Sequence, residues 1–171
     1  MRWGSNISNK IKGNAGEPMS QPPYGYIKDS SDPKHWIVDG EAAQVVRRVY
    51  SMTLEGFGTE QIVTQLEKDG VLTPRAYWLT KGIKRPGKGK QQPPTKWNSS
   101  TITKILSLQE YCGDILNFKT YSKSYKNKKR ISNDRENWVV FQDVHEAIIE
   151  RAMYEQVQQK RGKIRKRRTN S

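Results

Sequence analysis

The sequence predicts an α+β fold: a helical bundle of helix-turn-helix-like character, bearing a small antiparallel β-hairpin and long basic loops. Three observations predict it. Apolar residues recur at helical spacing in several stretches. Two runs late in the chain, Gly113–Phe118 and Asn137–Gln142, read as extended and flank a polar segment. Lys and Arg gather in the stretches that carry neither pattern.

The 171 residues hold 31 Lys+Arg against 17 Asp+Glu, a net charge of +14 at neutral pH. A folded chain this basic repels itself and calls for an anionic partner. Nucleic acid fits best, because each neutralised phosphate releases a condensed counterion. A membrane surface would require a long apolar span or a basic amphipathic helix with a wide apolar face, and the sequence has neither. No secretory signal pattern is present. Only 33% of residues are hydrophobic, which points to a modest core. The one cysteine, Cys112, has no internal disulfide partner, and no Cys/His set has zinc spacing. We therefore expect a reducing setting, no metal and no cofactor.

Residues 1–20 read as a linker or as the end of an upstream helix. Pro22-Pro23-Tyr24-Gly25-Tyr26 is a turn with two aromatics, and Trp36-Ile37-Val38 is a short extended segment. Asp39 is a candidate N-cap for a helix reaching Glu55, with Ala42, Val45, Val46 and Val49 on its apolar stripe. Gly56-Phe57-Gly58 stops it. Thr59 then caps a second helix, with Ile62, Val63 and Leu66 inward and Gly70 at its end. So short a link forces the two helices to pack at an angle.

Residues 71–97 read as a flexible basic loop carrying Lys81, Lys84, Arg85, Lys88 and Lys90. Asn98 or Ser99 can cap a third helix, with Ile102, Ile105 and Leu106 inward. In the helix-turn-helix arrangement one helix enters the major groove and presents short polar side chains to base edges. Asn98, Ser99, Ser100, Thr101 and Thr103 suit that face, with Lys96 and Lys104 flanking it as phosphate contacts. An ordinary three-helix core with a solvated face would give the same pattern. The long insertion before this helix also departs from the usual short turn.

The two extended runs should pair as an antiparallel hairpin whose tip holds Lys119, Lys123, Lys126, Lys128, Lys129 and Arg130. A last helix should begin near Val144, carry Ile148, Ile149, Met153 and Val157, and run into a disordered basic tail over 161–171. The main domain spans 21–160. The three basic clusters suit phosphate tracking, although basic loops also serve solubility. The aromatics lie at element ends, where packing is the simpler reading than stacking on bases. His145, Glu146 and Glu150 assemble no nucleophile, base and oxyanion set, so no catalytic residue is expected.

These motifs resemble, in order, the recombinase domain of the large serine recombinases, the family of phage integrases and transposon resolvases. Pro-Pro-Tyr-Gly-Tyr at 22–26 is similar to its opening motif, and residues 39–50 to its first helix. Residues 58–74 resemble its second helix and the turn that follows. Trp97–Leu106 with Tyr111-Cys112-Gly113 resembles its Trp…Ile…Ile-Leu…Tyr-x-Gly segment. His145-Glu146-Ala147-Ile148-Ile149 stands where the family has His-Pro-Ala-Ile-Ile. The resemblance implies sequence-specific binding of duplex DNA at attachment or transposon-end sites, in the bacterial cytoplasm at the nucleoid. It implies that the serine nucleophile and a zinc ribbon belong to other domains, not recognisable in these residues. Self-association would then run through those domains. A transcription regulator of helix-turn-helix type and an RNA-binding module remain alternatives on the residues alone.

Overall fold

In the computed structural model, residues 3–86, 92–124, 126–127 and 129–169 are described. The chain divides into two compact units that interleave in sequence: residues 1–39 with 109–149, and residues 40–108 with 150–171.

The first unit carries helix α1 (Trp3–Asn14) and three two-stranded antiparallel ladders. Strands β1 (Tyr26–Lys28) and β2 (Trp36–Val38) pair Tyr26 with Val38. Strand β3 (Ile115–Asn117) pairs with β6 (Val139–Phe141), the hairpin the sequence predicts. Inside its tip, β4 (Thr120–Ser122) and β5 (Arg130–Ser132) form a further ladder. The core is aromatic. Tyr24, Tyr26, Trp36 and Tyr111 are all buried beside Cys112, Ile115, Ile148 and Ile149. Burial of tyrosine requires partners for its hydroxyl. Tyr111 donates to the Tyr24 carbonyl at 2.6 Å, and Tyr26 to the Glu146 carbonyl at 2.6 Å. The Asn117 side chain is buried and fully used: its amide donates to the carbonyls of Gly13 and Glu17, and its oxygen accepts from the Met19 N–H.

The second unit is helical: α2 (Gly40–Glu55), α3 (Thr59–Lys68), α4 (Pro74–Thr80), α5 (Ser99–Ser107) and α6 (Arg151–Thr169). Ala42, Val46, Val49 and Tyr50 of α2 are buried, as are Ile62, Val63 and Leu66 of α3 and Ile102, Ile105 and Leu106 of α5. Val45, expected inward, is half-buried, and Ala43 takes the core position instead. Trp97 anchors the entry to α5 by donating its indole N–H to the Val71 carbonyl at 2.8 Å.

Several expectations need correction. Thr59 is the first helical residue of α3 and does not cap it. The cap is Gly58, whose N–H donates to the Gln61 side chain at 2.8 Å. The segment 71–97 is not all loop. Thr73 accepts from the Ala76 N–H and Pro74 opens α4, a favourable helix start. The last helix begins at Arg151, not near Val144, because the chain before it is tied elsewhere. The N–H groups of Ile148 and Ile149 both donate to the Tyr111 carbonyl. The tail that composition reads as disordered is helical to Thr169, its run of Lys, Arg and Gln being good helix formers.

Candidate nucleic-acid interface

The candidate interface is the start of α5 in the second unit. Asn98 has extended backbone angles and its side-chain oxygen accepts from the Thr101 N–H at 2.9 Å, closing the helix end. The same oxygen accepts from the hydroxyls of Ser100 and Thr101 at 2.5 and 3.1 Å. Thus Asn98, Ser100 and Thr101 stand together as one small hydrogen-bonded cluster. Asn98 and Ser100 are exposed, Thr101 and Thr103 half-buried, and Lys104 exposed with no ion pair among the described residues.

Two acidic side chains of α3, which no sequence pattern singles out, face this cluster. The Ser99 hydroxyl donates to the Glu60 carboxylate, and Lys96 pairs with Glu67 at 3.2 Å. Their signal in the sequence is weak, because Glu60 and Ser99, like Glu67 and Lys96, are far apart along the chain. A third acidic residue near the end of α3, Asp69, takes Arg48. That guanidinium and the Gln65 amide hold the Asp69 carboxyl below the usual carboxylate range.

The other expected contacts lie apart from this cluster. In the second unit Lys84 is exposed, and Lys81 pairs with Glu41 at 3.5 Å. The Arg85 guanidinium lies 4.7 Å from the centre of the Trp78 ring, and its partial burial lowers its pKa. In the first unit Lys123, Lys126 and Lys129 are exposed along the β4–β5 tip. Arg130 donates across the ladder to the Thr120 hydroxyl at 3.1 Å. Lys119 pairs with Glu110. Lys88, Lys90 and Lys128 lie outside the described residues.

Two cations of the basic tail have a packing role. Lys160 donates to the Leu54 carbonyl at 2.8 Å and Arg161 to the Leu106 carbonyl at 3.1 Å. Each thereby satisfies a carbonyl left without an intrahelical partner at the end of α2 or α5, where a cation is also favoured by the helix dipole.

Among the described residues no group of His, Cys, Asp and Glu could hold a metal ion, and no helix is long and apolar enough to cross a membrane. His145 is buried in the first unit against Tyr26 and Trp36, with Nε2 at 2.8 Å from the Glu110 carbonyl. Burial pushes its pKa below the ordinary imidazole value, and the Glu110 carbonyl and Asp114 only partly offset this. It is a packed core residue.

The start of α5 thus presents short polar side chains beside cations on a small helical unit. A family model described as Recombinase matches residues 40–163, well over half of the chain. The chain belongs to that recombinase family. The match starts at the first residue of α2, so Pro22–Tyr26 lie outside it. Two solved structures are also similar. One, described as the crystal structure of an LSR–DNA complex, is 19% identical with a TM-score of 0.49, over 94% of this chain and 38% of that one. The other, described by the sequence requirements of the Listeria innocua prophage attP site, is 17% identical with a TM-score of 0.44, over 92% of this chain and 51% of that one. The chain therefore spans between about two fifths and half of the length of these relatives.

Proposed function

We propose that this chain binds duplex DNA sequence-specifically, as the recombinase domain of a large serine recombinase. It would position attachment-site or transposon-end DNA for strand exchange performed by a catalytic serine in another domain. The observation that carries this reading is the start of α5, where exposed Asn98 and Ser100 stand beside Thr101, with Lys96 and Lys104 flanking them. Side chains of this type both donate and accept, as base-edge reading requires, while the flanking ammonium groups suit phosphate. The net charge of +14 supplies the non-specific attraction. Exposed Lys84, Lys123, Lys126 and Lys129 would add phosphate contacts.

The test is selection by the purified chain from a randomised duplex library, followed by titrations of the selected duplex over a range of salt. Enrichment of one motif, and a log–log salt slope changing by about −0.9 per phosphate contact, are expected. Failure to enrich any sequence, or preference for structured RNA over the duplex in competition, overturns the reading. A covalent protein–DNA adduct formed by the chain on a nicked suicide duplex would overturn the assignment of chemistry to another domain.

A further inference from the structure

Ser99 and Lys96 at the polar start of α5 are already engaged. Two carboxylates of α3 hold them. Glu60, on an exposed first turn, accepts from the Ser99 hydroxyl, and Glu67, a half-buried residue two turns further along, holds the Lys96 ammonium at 3.2 Å. These contacts are not needed to hold the two helices together. Ile62, Val63 and Leu66 of α3 and Ile102, Ile105 and Leu106 of α5 are all buried, so the packing of the unit is already apolar. Nor do they serve the cap of α5, which Asn98 provides by itself. Lone ion pairs at exposed positions contribute little to stability. Yet in a chain of net charge +14 these acids stand at a helix start where short hydrogen-bonding side chains cluster.

We propose that Glu60 and Glu67 are specificity-determining residues of the DNA-binding surface. They act as counter-charges that random-sequence DNA cannot displace and that a correctly docked site can. The inference rests on the DNA-binding reading above. A phosphodiester approaching α5 out of register meets two carboxylates, and Lys96 is already engaged, so the complex gains little and suffers repulsion. A duplex that docks in register offers base-edge and phosphate partners to Ser99 and Lys96 together. Those new hydrogen bonds replace the ones that Ser99 and Lys96 make to Glu60 and Glu67 in the free protein. Discrimination built this way comes from penalising the wrong partner rather than from gripping the right one more tightly.

The experiment uses the 171-residue chain, the duplex enriched in the library selection, and a scrambled duplex of the same composition. Glu60→Gln and Glu67→Gln keep the shape of each side chain and remove its charge. Each is expected to tighten binding to the scrambled duplex about threefold to tenfold, with a smaller gain on the selected duplex, so that the ratio between them falls. Freeing Lys96 in Glu67→Gln should steepen the salt slope on the scrambled duplex by about 0.9. The gain from Glu67→Gln should shrink when Lys96 is already alanine, since only the relief of repulsion is then left, and a double-mutant cycle measures that coupling.

Circular dichroism melts of both variants keep the outcomes separable from unfolding. A folded variant whose affinity for the scrambled duplex is unchanged overturns the proposal, as does a Glu67→Gln gain that is undiminished in the Lys96→Ala background. Selective weakening of the selected duplex by Glu60→Gln also overturns it, since Glu60 would then be reading a cytosine amino group directly. Failure of the library selection to enrich any motif removes the DNA reading itself, a different and distinguishable result.

Discussion

The Tyr50 hydroxyl donates to the Ile105 carbonyl oxygen at 3.1 Å, and both residues are buried in the helical unit. The bond ties α2 to the last turn of α5, where the same carbonyl also accepts from the Leu108 N–H at 3.4 Å. Tyr50→Phe removes the shorter of the two hydrogen bonds to that buried carbonyl. A loss of about 1 kcal/mol in unfolding free energy is expected, read by urea titration with tyrosine and tryptophan emission. An unchanged midpoint and slope would show that the bond contributes nothing net.

Binding should separate the polar residues of α5 by role. Thr103→Ala is expected to weaken binding to the selected duplex by about 1–3 kcal/mol and leave random DNA unaffected. Lys104→Ala should weaken both alike, as loss of a phosphate contact does. Thr101→Ala is less clean, because its hydroxyl also donates to the Asn98 cap. If the ratio of affinities holds for Thr103→Ala while the fold is intact, α5 is scaffold, and Lys84 or the tip at Lys123–Lys129 becomes the reading element.

The cap itself can be tested without DNA. Asn98→Ala deletes the acceptor for one backbone N–H and two hydroxyls. A cost of about 1 kcal/mol in thermal or chemical unfolding is expected. Asn98→Ser or Asn98→Asp should restore most of it. Failure of both to do so would mean that the cluster, and not the cap, supplies the stability.

Gly113 has φ +94°, and a Cβ at that position would lie 2.6 Å from the His145 carbonyl oxygen. The backbone there is packed face to face: the Val144 N–H donates to the Gly113 carbonyl at 2.8 Å. Gly113→Ala therefore combines left-handed strain with a clash against main chain that cannot move aside. Destabilisation of about 2–4 kcal/mol is expected, visible as an early transition in a melt. A variant melting with the parent would show that the chain from Gly113 to His145 yields more readily than its hydrogen bonds suggest.

Acid should loosen the aromatic unit before it titrates the carboxylates. The folded-state pKa of His145 lies below its ordinary value of about 6.5, first because of burial. The unfolded chain therefore takes up the proton first, and stability falls as pH drops below about 6.5 towards the depressed folded value. Above that window the contribution is complete. His145→Gln keeps a donor for the Glu110 carbonyl and should flatten the stability profile across that window, measured by melts at stepped pH. Carboxyls held low by hydrogen bonds, Asp29 and Asp69, lose their contribution only in more acid solution. A slope unchanged in His145→Gln would assign it to other groups.

The helices with a clear apolar stripe were legible. The spacing of Ala42, Val46 and Val49, and of Ile102, Ile105 and Leu106, marks faces that are buried in the fold, and Asn98 is readable as a cap from its type alone. The β3–β6 pairing was legible because β-forming residues flank a polar tip. Legibility ended where burial follows from contacts distant in sequence. Ile148 and Ile149 look like helix residues, yet they are buried in a turn whose N–H groups reach back to Tyr111. Helix α4 was hidden by the Lys and Arg around it, although Thr73-Pro74 is a readable start signal. Trp36 and Tyr26 gave no sign that β1 and β2 pair, since three-residue strands are too short for a period to emerge. At the candidate site the polar and basic residues were visible, and the acids that hold them were not. Sequence separation conceals the pairing of Glu60 with Ser99, and only folding brings them together.

The interleaving of the two units has a consequence for how the chain is made. The tyrosines at 24 and 26 leave the ribosome long before Tyr111, and Val46 and Val49 long before Val157. Each unit must close a loop across the whole of a segment belonging to the other, and contacts of that separation form late and slowly. Neither core can be completed by a nascent chain that stops short of its second segment, so synthesis itself sets the earliest moment of closure. Until then aromatic and aliphatic faces stay uncovered, and slow translation across residues 40–108 prolongs that exposure for the waiting amino-terminal segment, residues 1–39.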